Sequence, residues 1–96
     1  MPIAFLTLEL RIEGAHSLKD KRQVLRSLKD KLRNGFNVAV AELDANDLWQ
    51  RATIGVVSIS GSQDYLQGLM QNVEREAGRI ASSTGAEITD SFVEFI

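Results

Sequence analysis

The constraint that narrows the fold most is a change of hydrophobic period, made twice. In "IAFLTLELRI" the residues Leu6, Leu8, Leu10 and Ile12 alternate with Phe5, Thr7, Glu9 and Arg11. Period two is the mark of a half-buried strand, expected at about 3–13. Gly14 ends it. From Leu18 to Arg33 the apolar residues Val24, Leu25, Leu28 and Leu32 recur at helical spacing, so the chain turns into an amphipathic helix. Ser17 is the expected N-cap, with Asp20 three residues on in an imperfect capping box. "NGF" closes the helix, and Gly35 suits a left-handed cap.

The pattern then repeats with one extra strand. "FNVAVAEL" (36–43) and "RATIGVVSIS" (51–60) are rich in β-branched residues. The polar link "DANDLW" (44–49) supplies turn chemistry, so the two strands are expected to form a hairpin. "GSQD" opens a second helix capped by Ser62. Its apolar positions, from Tyr65 through Leu66, Leu69, Met70, Val73 and Ala77 to Ile80, share one side. "SSTG" ends it, and "AEITDSFVEFI" (86–96) is a last strand of mixed alternation. The order β-α-β-β-α-β is the split βαβ, or ferredoxin-like, α+β arrangement in one domain, 1–96. It predicts an antiparallel sheet of spatial order 4-1-3-2, with both helices on one face. Strands two and three carry apolar residues on both faces, Val38 and Val40 against Ala39 and Ala41 among them. The uncovered face is therefore more apolar than solvent favours, and a partner or ligand is one way to cover it.

Charge is the second constraint. The 96 residues hold 13 Asp and Glu against 11 Lys and Arg, yet seven of the 11 fall between Lys19 and Arg33. Residues 17–34 carry net +5 and the remainder −7. At 100° per residue, Lys19, Arg22, Arg26, Lys29 and Arg33 share an arc about 80° wide, beside the apolar arc. Lys21 and Lys31 lie off this stripe, which runs for about 21 Å at 1.5 Å per residue. Like charges at i, i+3 and i, i+4 repel by a few tenths of a kcal/mol per pair. A helix shaped by stability alone would intersperse Glu here, and none is present. An anionic polymer such as RNA, or an acidic protein surface, is what such a stripe suits. An ordinary solvated face is the plain alternative.

The other candidates are weaker. His16, the only histidine, precedes the helix cap and suits a loop hydrogen bond better than a base or metal ligand. Asp44, Asp47 and Glu42 are explained by turn formation better than by cation binding. Trp49, the only Trp, is expected to cap one end of the core. If exposed, it would stack on a base or anchor a protein contact. Arg51 beside it suits a cation–π contact or a pair with Asp44 or Asp47. "SGSQD" is a generic anion site at a helix start without a phosphate-loop motif. The two central strands offer only Phe5 for base stacking, unlike an RNA-recognition motif, so RNA would be held through phosphates and shape. No cysteine occurs, which excludes disulfides and thiolate sites and fits a cytoplasmic address. No enzyme motif, cofactor site, metal site or membrane segment is expected.

The stretch "GAHSLKDKRQVLRSLKDKLRNGFNVAVAELDANDLWQRATIGV" resembles the YlxP-like family, small bacterial proteins classed as a domain of unknown function. The likeness is most specific in "HSLKDKR" (His16–Arg22), "FNVAVAE" (Phe36–Glu42) and "DLWQRA" (Asp47–Ala52). It implies a ferredoxin-like fold and no established activity, so no catalytic residue carries over. The family's genes often neighbour those for translation initiation factor two and ribosome-binding factor A. By association this implies a role in translation or ribosome maturation. His16, Ser17, Lys19, Lys21, Arg22, Asp47, Trp49, Gln50 and Arg51 are the motif positions. The partner this favours is ribosomal RNA or a ribosomal subunit, with no DNA expected; a homodimer or a small-ligand-binding domain is the alternative.

Overall fold

The computed structural model describes residues 2–43 and 48–96. The elements run β1 (Ile3–Ile12), α1 (Leu18–Gly35), β2 (Ala39–Glu42), β3 (Arg51–Ile59), α2 (Gln63–Ser83) and β4 (Ala86–Phe95). They build one antiparallel sheet in the order β2-β3-β1-β4, which is the expected 4-1-3-2. Alternation in β1 decides which face is covered. Ala4, Leu6, Leu8, Leu10 and Ile12 are buried and form one cluster with Ile54 and Val56 of β3. Leu25, Leu28 and Leu32 of α1 and Leu66, Met70, Val73 and Ala77 of α2 complete it. Both helices therefore lie on that face. The opposite face, with Phe5, Thr7, Glu9 and Arg11 on β1, carries no helix.

The caps show why the helices start where they do. Ser17 Oγ accepts from the Asp20 amide at 3.1 Å, and Asp20 Oδ2 accepts from the His16 amide at 3.0 Å. The box is closed one residue upstream of the usual geometry. Ser62 Oγ likewise accepts from the Tyr65 amide at 3.2 Å.

Three details depart from the sequence expectation. Gly35 takes no left-handed cap: it is the last residue of α1, and the Phe36 amide donates to Leu32 O at 3.0 Å. The left-handed residue is Gly85, with φ 80°, between α2 and β4. There a side chain would be strained by the backbone alone, and the Gly14 amide donates to Gly85 O at 3.2 Å, tying the end of β1 to the start of β4. Second, β2 is shorter than 36–43. Phe36 is spent on the helix cap, and the Val38 amide turns back onto Phe36 O at 3.0 Å. Third, the mixed alternation of β4 is a bulge. Glu9 pairs with Asp90 but Leu10 with Ile88, so Thr89 is left over. The bulge puts Ile88 and Val93, an odd number of residues apart, on the same core-facing side.

On the outer face, Gly55 lies under the Leu43 side chain, whose Cδ atoms sit 2.9 Å from where a Cβ would be. That neighbour is the free end of a half-exposed side chain. Gly55→Ala is therefore expected to displace Leu43 and change stability by less than about 1 kcal/mol in urea unfolding. A larger loss would show that Leu43 is fixed in place.

Candidate nucleic-acid interface

The cations of the α1 stripe project from the helix side that the core leaves free. Lys19, Arg22, Arg26 and Arg33 are exposed and Lys29 is half-buried. Arg33 Nη2 lies 3.6 Å from Asp30 Oδ1, an exposed i, i+3 pair. Lys19, Arg22, Arg26 and Lys29 make no ion pair among the described residues. On α2 the same chemistry is handled differently. Arg79 donates to Glu76 Oε1 from Nε, at 2.9 Å, and from Nη2, and this bond holds the Glu76 carboxyl below its usual range. Arg79 of α2 is answered within its own helix, whereas most of the α1 stripe is not.

Lys21 has a role that sequence reasoning missed. It is only 2% exposed. Its Nζ donates to Leu48 O at 2.8 Å and lies 3.8 Å from Glu42 Oε2. The signal was present: Lys21, Leu25, Leu28 and Leu32 stand at i, i+4, i+7 and i+11, so a lysine fills an apolar slot. Its methylenes pack along the helix–sheet seam while its ammonium reaches the turn before β3.

That turn carries the other expected interaction residues. Trp49 is not buried as a core cap; it is 50% exposed. The turn that carries it is held at its backbone, with the indole outside the core cluster. The Ile12 amide donates to Gln50 O at 2.9 Å, and Gln50 Nε2 to Ala15 O at 3.4 Å. Arg51 is exposed on the outer face, opposite Arg11 in the β1–β3 register. Arg11 is engaged by Glu13 at 3.2 Å and by Glu87. Arg51 makes no ion pair among the described residues; its proposed partners Asp44 and Asp47 lie outside them. His16 takes part through its backbone amide, and its exposed ring makes no hydrogen bond among the described residues.

The family model for a protein of unknown function (DUF503) matches residues 3–92. The chain belongs to this family. A DUF503 relative, the uncharacterized protein YlxP of Bacillus subtilis (strain 168), is 37% identical over 71 residues, which is 74% of this chain and 77% of the relative. Two solved structures share the fold at low identity. A C-terminal segment of the aIF2 alpha subunit from Pyrococcus abyssi is 13% identical with a TM-score of 0.53. It is matched over 97% of this chain, which spans 50% of that segment's length. A dimeric ferredoxin-like protein of unknown function from Thermobifida fusca YX is 18% identical with a TM-score of 0.53, over 100% of this chain and 90% of the other. These likenesses carry the fold alone.

In this DUF503 member the stretches "HSLKDKR" and "LWQR" are far apart in sequence and adjacent in space. Lys21 and Ala15 bond to Leu48 and Gln50, so the N-terminal end of α1 and the turn before β3 form one unit. No group of three or more His, Asp or Glu side chains that could hold a metal ion occurs among the described residues. Among the described residues, no helix is long and apolar enough to cross a membrane.

Proposed function

We propose that this DUF503 protein is a non-enzymatic accessory factor of translation or ribosome maturation, acting in the cytoplasm, that binds structured RNA through α1. The observation that carries the reading is the stripe itself: Lys19, Arg22, Arg26 and Lys29 project together without carboxylate partners among the described residues. Such a row, about 15 Å long at 1.5 Å per residue, follows a phosphate backbone better than it follows isolated acidic groups. The acidic remainder of the molecule repels nucleic acid elsewhere and orients the approach. Shape and phosphate spacing set selectivity, since the central strands offer no aromatic platform beyond Phe5.

The test is binding of purified protein to ribosomal RNA or small ribosomal subunits across a salt series. The logarithm of affinity is expected to fall with that of salt by about 0.7–0.9 for each phosphate neutralised. Absence of binding at low salt removes the reading.

A second reading, a homodimer, is favoured by the helix-free sheet face. Ile59 and Phe92 are 55% and 46% exposed there, beside Leu43, Val57 and Phe5. Val40 packs against the core and lies off this face. Ile59→Asp combined with Phe92→Asp is the appropriate change. Light scattering is expected to show twice the 10.6 kDa chain mass for the native protein and the single mass for the variant. A native protein that stays monomeric at high concentration excludes this reading.

A further inference from the structure

The stripe ends at a feature that phosphate contacts alone leave unexplained. Trp49 is the chain's only Trp, and half of it faces solvent. Both of its chain neighbours are tethered. Leu48 O is held by the buried Lys21 ammonium, and Gln50 is held through both its carbonyl and its side-chain amide. An indole presented on a tethered backbone loses little conformational freedom when it binds a planar group.

Two hollows flank this turn and share Leu48 and Arg51. One, of about 400 Å³, has Trp49 in its wall. The other, of about 380 Å³, lies on the outer sheet face and includes Arg11, Thr53 and Glu9. Arg11 is committed to Glu13 and Glu87. Glu9 accepts from Thr53 Oγ1 at 3.0 Å. Arg51 is thus the guanidinium in this wall with no carboxylate among the described residues. It stands directly across from Arg11, whose own carboxylate partners leave Arg51 as the guanidinium open to an added anion. The Glu9 carboxylate in the same hollow disfavours a run of phosphates, so the geometry suits a single one.

We infer that Trp49 and Arg51 form a subsite for one unpaired nucleotide, with its base stacked on the indole and its phosphate on the guanidinium. The inference rests on the RNA reading above and specifies the substrate: a helical stem interrupted by an unpaired nucleotide, in preference to an unbroken duplex. The position fits. Lys21, which anchors the turn, stands between Lys19 and Arg22 in sequence, so the stripe begins within one helical turn of the anchoring point. Stem phosphates lie on α1, and the extruded base reaches round the N-terminal end of the helix to the indole.

The test uses a labelled RNA duplex of about 16 base pairs and the same duplex with one bulged adenosine. Binding is read by anisotropy of the label, and the subsite by Trp49 emission. The bulged RNA is expected to bind about tenfold more tightly, the value of one stacked base, and to quench Trp49 at saturation. Trp49→Ala is expected to bring both RNAs to the affinity of the unbroken duplex. Trp49→Phe is expected to keep part of the preference. Arg51→Gln is expected to weaken the bulged complex and reduce its salt slope by about one. Both positions are exposed, and circular dichroism confirms that the variants fold. Equal affinity for the two RNAs with unchanged Trp49 emission overturns the subsite while leaving α1 binding intact. No binding of either RNA at low salt overturns both.

Discussion

Reversing three charges on α1, with Arg22→Glu, Arg26→Glu and Lys29→Glu combined, is expected to lower affinity for ribosomal RNA by at least about 100-fold at 0.1 M salt. Each cation that neutralises a phosphate contributes about 0.7–0.9 to the salt slope. Three of them account for roughly two to two and a half powers of ten between 1 M and 0.1 M salt. The salt slope should fall by about the same two units. Reversal then adds repulsion between the new carboxylates and the phosphates. The fold should not suffer. Arg22 and Arg26 are exposed and Lys29 half-buried, Glu is about as good a helix former as Lys or Arg, and the changes at 22 and 29 gain opposite-charge neighbours in Lys19 (i, i+3) and Arg33 (i, i+4), offsetting the like-charge neighbours that remain at 22/26 and 26/29. Urea unfolding should move by less than about 1 kcal/mol, so a binding defect cannot be attributed to a damaged helix. Lys31→Glu, off the stripe, is the control and should cost far less. Affinity within threefold of the native protein in the triple variant would mean that the row of cations is only a solvated face.

Much of the fold could be read directly because each element carries its own period. β1 alternates without interruption, α1 keeps four apolar residues on one side, and the polar link after residue 43 separates two β-branched runs. What could not be read depended on neighbours. Gly35 and Gly85 look equally suited to a left-handed cap, and the structure uses only Gly85. Phe36 draws Gly35 into the helix by bonding back to Leu32. The bulge at Thr89 is set by the pairing of β4 with β1, which no local pattern in β4 reveals.

The candidate interface divides in the same way. The stripe is a property of one helix, and helical geometry alone placed its members. Arg33 was placed correctly, but its pair with Asp30 depends on a side-chain rotamer. Trp49 sits in a turn, where no periodicity signals inside or outside; its exposure follows from tethers supplied by β1 and α1. Lys21 was visible as a polar residue in an apolar slot. Charge counting grouped it with the other cations, although burial gives it a different task.

That task can be measured. Lys21→Ala is expected to destabilise the protein by about 3 kcal/mol, and Lys21→Met by about half as much. The ion pair contributes little of this. The 3.8 Å separation from Glu42 is long, and the Glu42 side chain is 27% exposed, so water can take over its solvation. The larger losses are the 2.8 Å bond to Leu48 O and, for Ala, the volume of a buried four-carbon stem. Met restores most of that volume and none of the bond, which is why the two variants separate the causes. Against a total of about 5–15 kcal/mol for a domain, the Ala variant should show a clear drop in the urea midpoint with an unchanged slope. Lys21→Met keeps all five stripe cations, so it should bind an unbroken RNA duplex as the native protein does. It frees the turn, however, and should lose the preference for a bulged one. If Lys21→Ala costs less than about 1 kcal/mol, the buried ammonium does not anchor the turn, and the ordered presentation of Trp49 must have another origin.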